Sequence, residues 1–187
     1  MITDPIPRKT ERRADYLRSE GMTTIVLPPG DSLRELALKI ETALGTGSST
    51  RVRASCVSFL SEAARFYKVQ KPQIRVLASR PIQVYEKGSS ELFGDYHPRT
   101  GMIRVWMRTA VQHRVTSFGT FLSTLCHEFC HHLDIKHFGL FDSPHTRGFY
   151  HRTALLYHLC RGTPLRPLIW LSIGRGRYRI DWSRMRG

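Results

Sequence analysis

The sequence predicts an α+β fold: a small mixed β-sheet packed against one long helix, with a second helix following it. Three observations predict this. Alternating and β-branched runs crowd into residues 73–107. Amphipathic, helix-spaced stretches lie on both sides of them. A proline-free run over residues 118–139 is long enough for about six turns of helix and is followed by a second helical pattern. At 187 residues with 41% hydrophobic content, the chain suits one domain with short appendages and can build a real core.

The first 21 residues are polar and charged and read as a flexible arm. Residues 23–28, TTIVLP, read as a short strand ended by Pro28, Pro29 and Gly30. Ser32 followed by Glu35 is a capping-box pattern and predicts a helix to about Leu44. GTGSST, residues 45–50, reads as a linker. The organisation expected is therefore an arm and appendage over residues 1–50, a core over 51–162 and a basic segment over 163–187.

Within the core, Val52, Cys56, Val57, Phe59, Leu60, Ala63, Ala64 and Tyr67 recur at helical spacing and predict one buried face. QIRVLA and IQVYEK, separated by Arg80-Pro81, read as strands. Two further strand-like runs flank His97-Pro98-Arg99-Thr100-Gly101, which predicts a β-hairpin. The helix that follows opens at Thr116-Ser117 and closes at Gly139. Ser143 as cap and Pro144 as first residue predict the next helix, through about Arg161. RYRIDW, residues 177–182, reads as a last strand.

The chemistry is concentrated in LCHEFCHHLD, residues 125–134. His127-Glu128-Phe129-Cys130-His131 has the form H-E-x-x-H. On a helix, His127 and His131 stand one turn apart on one face and can grip one zinc ion. Glu128 is then placed to act as general base toward a metal-bound water. Phe118, Leu122, Leu125, Phe129 and Leu133 fall on the opposite side of the wheel, giving an apolar back to a ligand-bearing front. A third ligand is needed. His145 is favoured, because a turn at Gly139 lets the chain fold back across the first pair. His151 and an acid such as Asp134 are the alternatives. Three histidines leave a fourth zinc position for water. Asp134 otherwise suits a hydrogen bond that orients a ligand imidazole. His97, His113, His132, His137 and His158 are expected to be ordinary partly buried histidines.

Charge and cysteines bound the setting. The formal net charge is +14, mostly from arginine, and much of it lies near the C-terminus. Such a surface attracts polyanions, whether nucleic acid, acidic proteins or anionic lipid, and phosphate contacts to DNA or RNA are expected ahead of the alternative, a solvated basic tail that serves solubility. No apolar run approaches a membrane span and no secretory signal is evident, so a cytoplasmic protein is expected. Cys56, Cys126, Cys130 and Cys160 are then expected to be reduced, buried thiols.

HEFCHH, followed after a short turn by HTRGF, resembles the zincin metallopeptidase core, particularly the SprT-like and Spartan-type proteases. In that family a third histidine is followed four places on by an aromatic residue, as His145 is by Phe149. The hairpin GDYHPRTGMIRVWM also resembles the strand pair ahead of the family's active-site helix. The resemblance covers residues 51 to about 161. It implies a zincin-like core with metal ligands His127, His131 and His145, Glu128 as base, and hydrolysis of a protein or peptide substrate. A peptide could add to an edge strand around residues 103–107, with Tyr150, His151 or Tyr157 as candidate oxyanion donors. Two departures stand out: Thr146, not glycine, follows His145, and no four-cysteine zinc ribbon follows the core. The competing expectation is a nucleic-acid-binding module whose zinc is structural and which hydrolyses nothing.

Overall fold

The computed structural model describes residues 1–85 and 88–184, without the side chains of residues 83–90. It is a mixed α+β structure. In chain order the elements are α1 (Thr10–Gly21), α2 (Ser32–Gly45), α3 (Ser49–Phe66), β1 (Gln73–Ser79), β2 (Ile82–Tyr85), β3 (Gly88–Glu91), β4 (Gly94–His97), β5 (Met102–Arg108), α4 (Phe118–Lys136), α5 (Arg147–Arg161), β6 (Trp170–Ser172) and β7 (Tyr178–Ile180).

The main sheet has the order β1-β5-β4. β5 pairs parallel with β1, Ile74 opposite Ile103 and Val76 opposite Val105. It pairs antiparallel with β4 through the hairpin, His97 opposite Met102 and Gly94 opposite Val105. Gly101, at φ +63, gives the hairpin the left-handed residue its turn needs. Ile103, Val105 and Met107 are buried on β5. Helices α3 and α4 pack on the sheet, and α3 buries the stripe expected of it, Val57 alone remaining partly exposed.

Several expectations are corrected. β5 is the central strand, so residues 103–107 are no edge; the outer strand on the α4 side is β4. Residues 23–28 form no strand. The expected strand IQVYEK is formed at Ile82–Tyr85, and its last two residues, Glu86 and Lys87, lie outside the described residues. The arm is helical from Thr10, and its buried Tyr16 and Ser19 face the body of the protein. α2 contributes Leu33, Ala37, Ile40 and Leu44 to the same core as α3, α4 and α5. Its N-cap is Asp31, Ser32 being the first helical residue. Of the C-terminal basic run, residues 185–187 are outside the described residues; RYRIDW supplies β7, paired antiparallel with β6.

All four cysteines are free and buried. Burial raises the Cys56 thiol well above its ordinary range and pushes Cys130 up to about 12, so both behave as small core hydrophobes. Among the described residues no helix is long and apolar enough to cross a membrane.

Candidate metal centre

Ser117 opens α4, its hydroxyl accepting from the Thr120 amide at 3.3 Å. From there the helix runs unbroken through the polar cluster. Leu122, Leu125, Phe129 and Leu133 are fully buried on its back, as the wheel required. His127 and His131 project from the front.

His145 comes from the loop between α4 and α5. The second helix starts later than expected: Thr146 is its N-cap, accepting from the Phe149 amide at 3.0 Å, and Arg147 is its first residue. Ser143 caps nothing. It adopts φ +40, uncommon for a residue with a side chain, and turns the chain so that His145 faces the other two histidines. The Nε2 atoms lie 3.1 Å apart for His127 and His145, 3.2 Å for His127 and His131, and 3.2 Å for His131 and His145. Three imidazole nitrogens facing one another at this distance cannot all carry protons inward. Their lone pairs converge on one point, and the cluster could hold a metal ion.

The opposite ring nitrogens of His131 and His145 support that arrangement, whereas His127 Nδ1 is buried without a hydrogen-bond partner among the described residues. His131 Nδ1 is 2.7 Å from the Ser143 hydroxyl, which donates to Asp134 Oδ2 at 3.0 Å. Asp134 Oδ1 accepts from Arg152 Nη2 at 2.8 Å, and both side chains of this ion pair are buried. Arg152 also donates to the Ser19 and Met22 carbonyls, tying α1 to the pair. The chain Arg152–Asp134–Ser143–His131 thus fixes the His131 proton on Nδ1 and leaves Nε2 free to ligate. Asp134 acts through Ser143, a residue that reads in the sequence as a helix cap. His145 Nδ1 lies 3.3 Å from Asp4 Oδ2. Phe149, four residues after His145, stacks on the His131 ring at a centroid distance of 4.5 Å.

Burial, with the nearby His145 adding to it, pushes His127 down to about 3. Burial and the two neighbouring rings hold His131 well below its ordinary value. Both are neutral at physiological pH, the state a ligand requires. Glu128 is buried beside β4, against Gly94 and Thr124. Burial first, then the Asp95 carboxylate, push it up to about 8. A cleft of about 690 Å³ opens along this side of α4. Phe93, Gly94, Thr124, His127, Glu128 and Tyr157 are among its walls.

The other candidates lie elsewhere. His151 meets the Trp170 indole at 3.5 Å and is no part of the cluster. His132 is bound by the Gln70 carbonyl and the Tyr96 hydroxyl. His97 contacts Thr100, His113 contacts Ser79, His158 contacts Thr163, and His137 packs on Tyr67. The Tyr150 hydroxyl is engaged, donating to the Ile2 carbonyl at 3.0 Å. The residues missed by sequence reasoning are Ser143, Arg152, Gly94 and Asp4. None carries a local signal, since each acts only through a neighbour brought in by the fold.

Compared with protein-family models, curated proteins and solved structures, the chain matches none.

Proposed function

We propose that this chain is a zinc-dependent metallopeptidase with a zincin-like core. The observation that carries the reading is the meeting of His127, His131 and His145 beside Glu128 in one cleft. A tetrahedral zinc with bonds of about 2.0–2.1 Å sets its donors roughly 3.4 Å apart. The Nε2 separations of 3.1–3.2 Å fit that ion closely. Three nitrogen donors, with no fourth His, Cys, Asp or Glu joining the group among the described residues, suit an open rather than a closed structural site. This favours catalysis over the structural-zinc alternative.

His127, His131 and His145 would hold the ion, which when bound would supply a Lewis acid and an activated water. Glu128 would be the group that accepts a proton there and delivers one to the leaving amine. Its pKa of about 8 belongs to the metal-free site; a bound dication beside it would favour the carboxylate, the form that accepts a proton. β4, the outer strand beside α4, offers its backbone to an extended protein or peptide substrate by β-addition, in place of the central β5. The Tyr157 hydroxyl lies against Gly119, about two turns of α4 before His127, and the Tyr150 hydroxyl donates to the Ile2 carbonyl, so neither tyrosine stands ready as an oxyanion donor.

The net charge of +14 and the exposed Arg166, Arg175 and Arg179 beyond α5 support work near DNA or RNA. The test is elemental mass spectrometry and peptide cleavage, with and without DNA, on wild type, Glu128→Gln and His145→Ala. One zinc per chain, kept by Glu128→Gln with hydrolysis reduced about 10²–10⁴-fold, and lost or weakened in His145→Ala, is expected. Hydrolysis undiminished in Glu128→Gln, or a wild type that takes up no zinc, would overturn the reading.

A further inference from the structure

The three histidines are not held equally. His127 and His131 stand on one helix, and His131 is fixed further by Ser143. His145 stands on a loop, two residues before α5, with its side chain about one-third exposed. What reaches it comes from 141 residues away in sequence. The Asp4 amide donates to the His145 carbonyl at 2.8 Å, and the His145 amide donates to Asp4 Oδ2 at 2.8 Å. The same carboxylate oxygen faces His145 Nδ1 at 3.3 Å.

Asp4 is itself anchored on both sides. Residues 1–3 run antiparallel beside β7, joined to it by an isolated bridge rather than as a further strand. Ile2 bridges Arg179, the Thr3 amide donates to the Tyr178 carbonyl at 2.9 Å, and the Tyr178 amide donates to Thr3 Oγ1 at 2.9 Å. The Tyr16 hydroxyl, from α1, donates to the Asp4 carbonyl at 3.2 Å. Tyr150, whose ring stacks on His145, donates to the Ile2 carbonyl. The strap is thus fastened to the C-terminal hairpin, to α1 and to α5, and presents one carboxylate to the loop-borne histidine.

We propose that Asp4 is a positioning residue of the metal centre. It fixes the backbone of His145 and keeps the imidazole proton on Nδ1, so that Nε2 faces His127 and His131 with its lone pair. A carboxylate behind a ligand imidazole also makes that ligand more basic. The segment that reads in the sequence as a loose arm therefore completes the site rather than merely leading up to it. This rests on the reading that the triad binds zinc.

The experiment is a zinc competition titration against a chromophoric chelator, on the full chain, for wild type, Asp4→Ala, Asp4→Asn and Thr3→Ala. Thermal melting of the metal-free forms accompanies it. Asp4→Ala is expected to weaken zinc binding about 10–100-fold. Asp4→Asn keeps the size and one acceptor, preserves strap docking, and should show a smaller loss at an unchanged melting temperature. Thr3→Ala loosens the strap on β7 without touching His145 and should bind zinc within about twofold of wild type. Wild-type affinity in both Asp4 variants would overturn the proposal while leaving the metal site standing. So would a loss in Thr3→Ala as large as in Asp4→Ala, since strap docking alone would then explain it. A wild type that binds no zinc would overturn the parent reading and this one together.

Discussion

Gly94 lies so close to Glu128 that a methyl group on its α-carbon would sit 2.9 Å from Oε1 of the carboxylate and 2.6 Å from Cγ2 of Thr124. The outermost residue of β4 can be brought against α4 only because it has no side chain. That contact sets where the carboxyl stands relative to the cleft and the strand edge. Gly94→Ala is expected to push Glu128 aside while sparing the three histidines. Peptide hydrolysis should fall about 100-fold, because a displacement of about 1 Å in a reacting group costs that much. Zinc content should not change. Undiminished turnover with one zinc bound would show that the position of the carboxyl is not set by this contact.

The buried ion pair Arg152–Asp134 joins α5, α4 and α1 behind His131. Arg152→Ala would leave the Asp134 carboxylate buried without its cation. Breaking such a pair costs about 3–5 kcal/mol. Urea unfolding of the metal-free protein should register that loss. A change below about 1 kcal/mol would mean that Ser143 and water satisfy Asp134 unaided.

Gly148 is the point at which α1 meets α5. An added Cβ would fall 2.0 Å from the Ser19 carbonyl oxygen, 2.8 Å from that of Glu20 and 2.9 Å from that of Met22. These are backbone atoms and cannot rotate away. Gly148→Ala should lift α1 from α5, lower stability by about 1–3 kcal/mol, and let the helical backbone at Arg12, Arg13 and Arg18, whose side chains are already exposed, open to trypsin cleavage. Limited proteolysis at wild-type rate would contradict this.

For the metal-free protein the stability profile with pH should be a dome. His127 and His131 have folded pKa values below their unfolded value of about 6.5. The unfolded chain therefore binds more protons, and stability is lost as pH falls from about 6.5 toward 3. Glu128 is raised to about 8, so the folded chain binds the extra proton, and its contribution is lost as pH rises from about 4.5 toward 8. Between 4.5 and 6.5 two histidines oppose one carboxyl, and stability should still rise with pH. Denaturant midpoints measured in chelator should peak near neutrality, and Glu128→Gln should flatten the limb between 6.5 and 8. A midpoint that continues to climb through pH 8 would contradict the environment assigned to Glu128.

Much of the architecture is legible in the sequence because it is set by local periodicity. The spacing of Phe118, Leu122, Leu125, Phe129 and Leu133 fixes which way α4 faces, and that in turn places His127 and His131 side by side. Turn chemistry at residues 97–101 yields the hairpin, and the stripe from Val52 to Tyr67 yields α3. Residues 23–28 illustrate the opposite case. A β-branched run has strand propensity, but among the described residues no strand edge lies alongside it, and its backbone pairs instead with Gly21 and the Tyr67 hydroxyl. The charged arm illustrates it too: α1 is held by a few buried atoms, Arg152 and Gly148 among them, which no local pattern announces.

By itself the sequence determined the elements of the core and two histidines and an acid on one helix face, since three to four residues of separation suffice to fix such relations. Only the tertiary structure decided that His145 rather than His151 joins them, that β4 rather than β5 forms the outer strand, and that Ser143, Arg152 and Asp4 stand behind the ligands. The reason is physical. Hydrogen bonds of about 3 Å between residues up to 141 positions apart depend on the packing of α1, α5 and β7 against one another. That packing is decided by the whole core and not by any window of the chain.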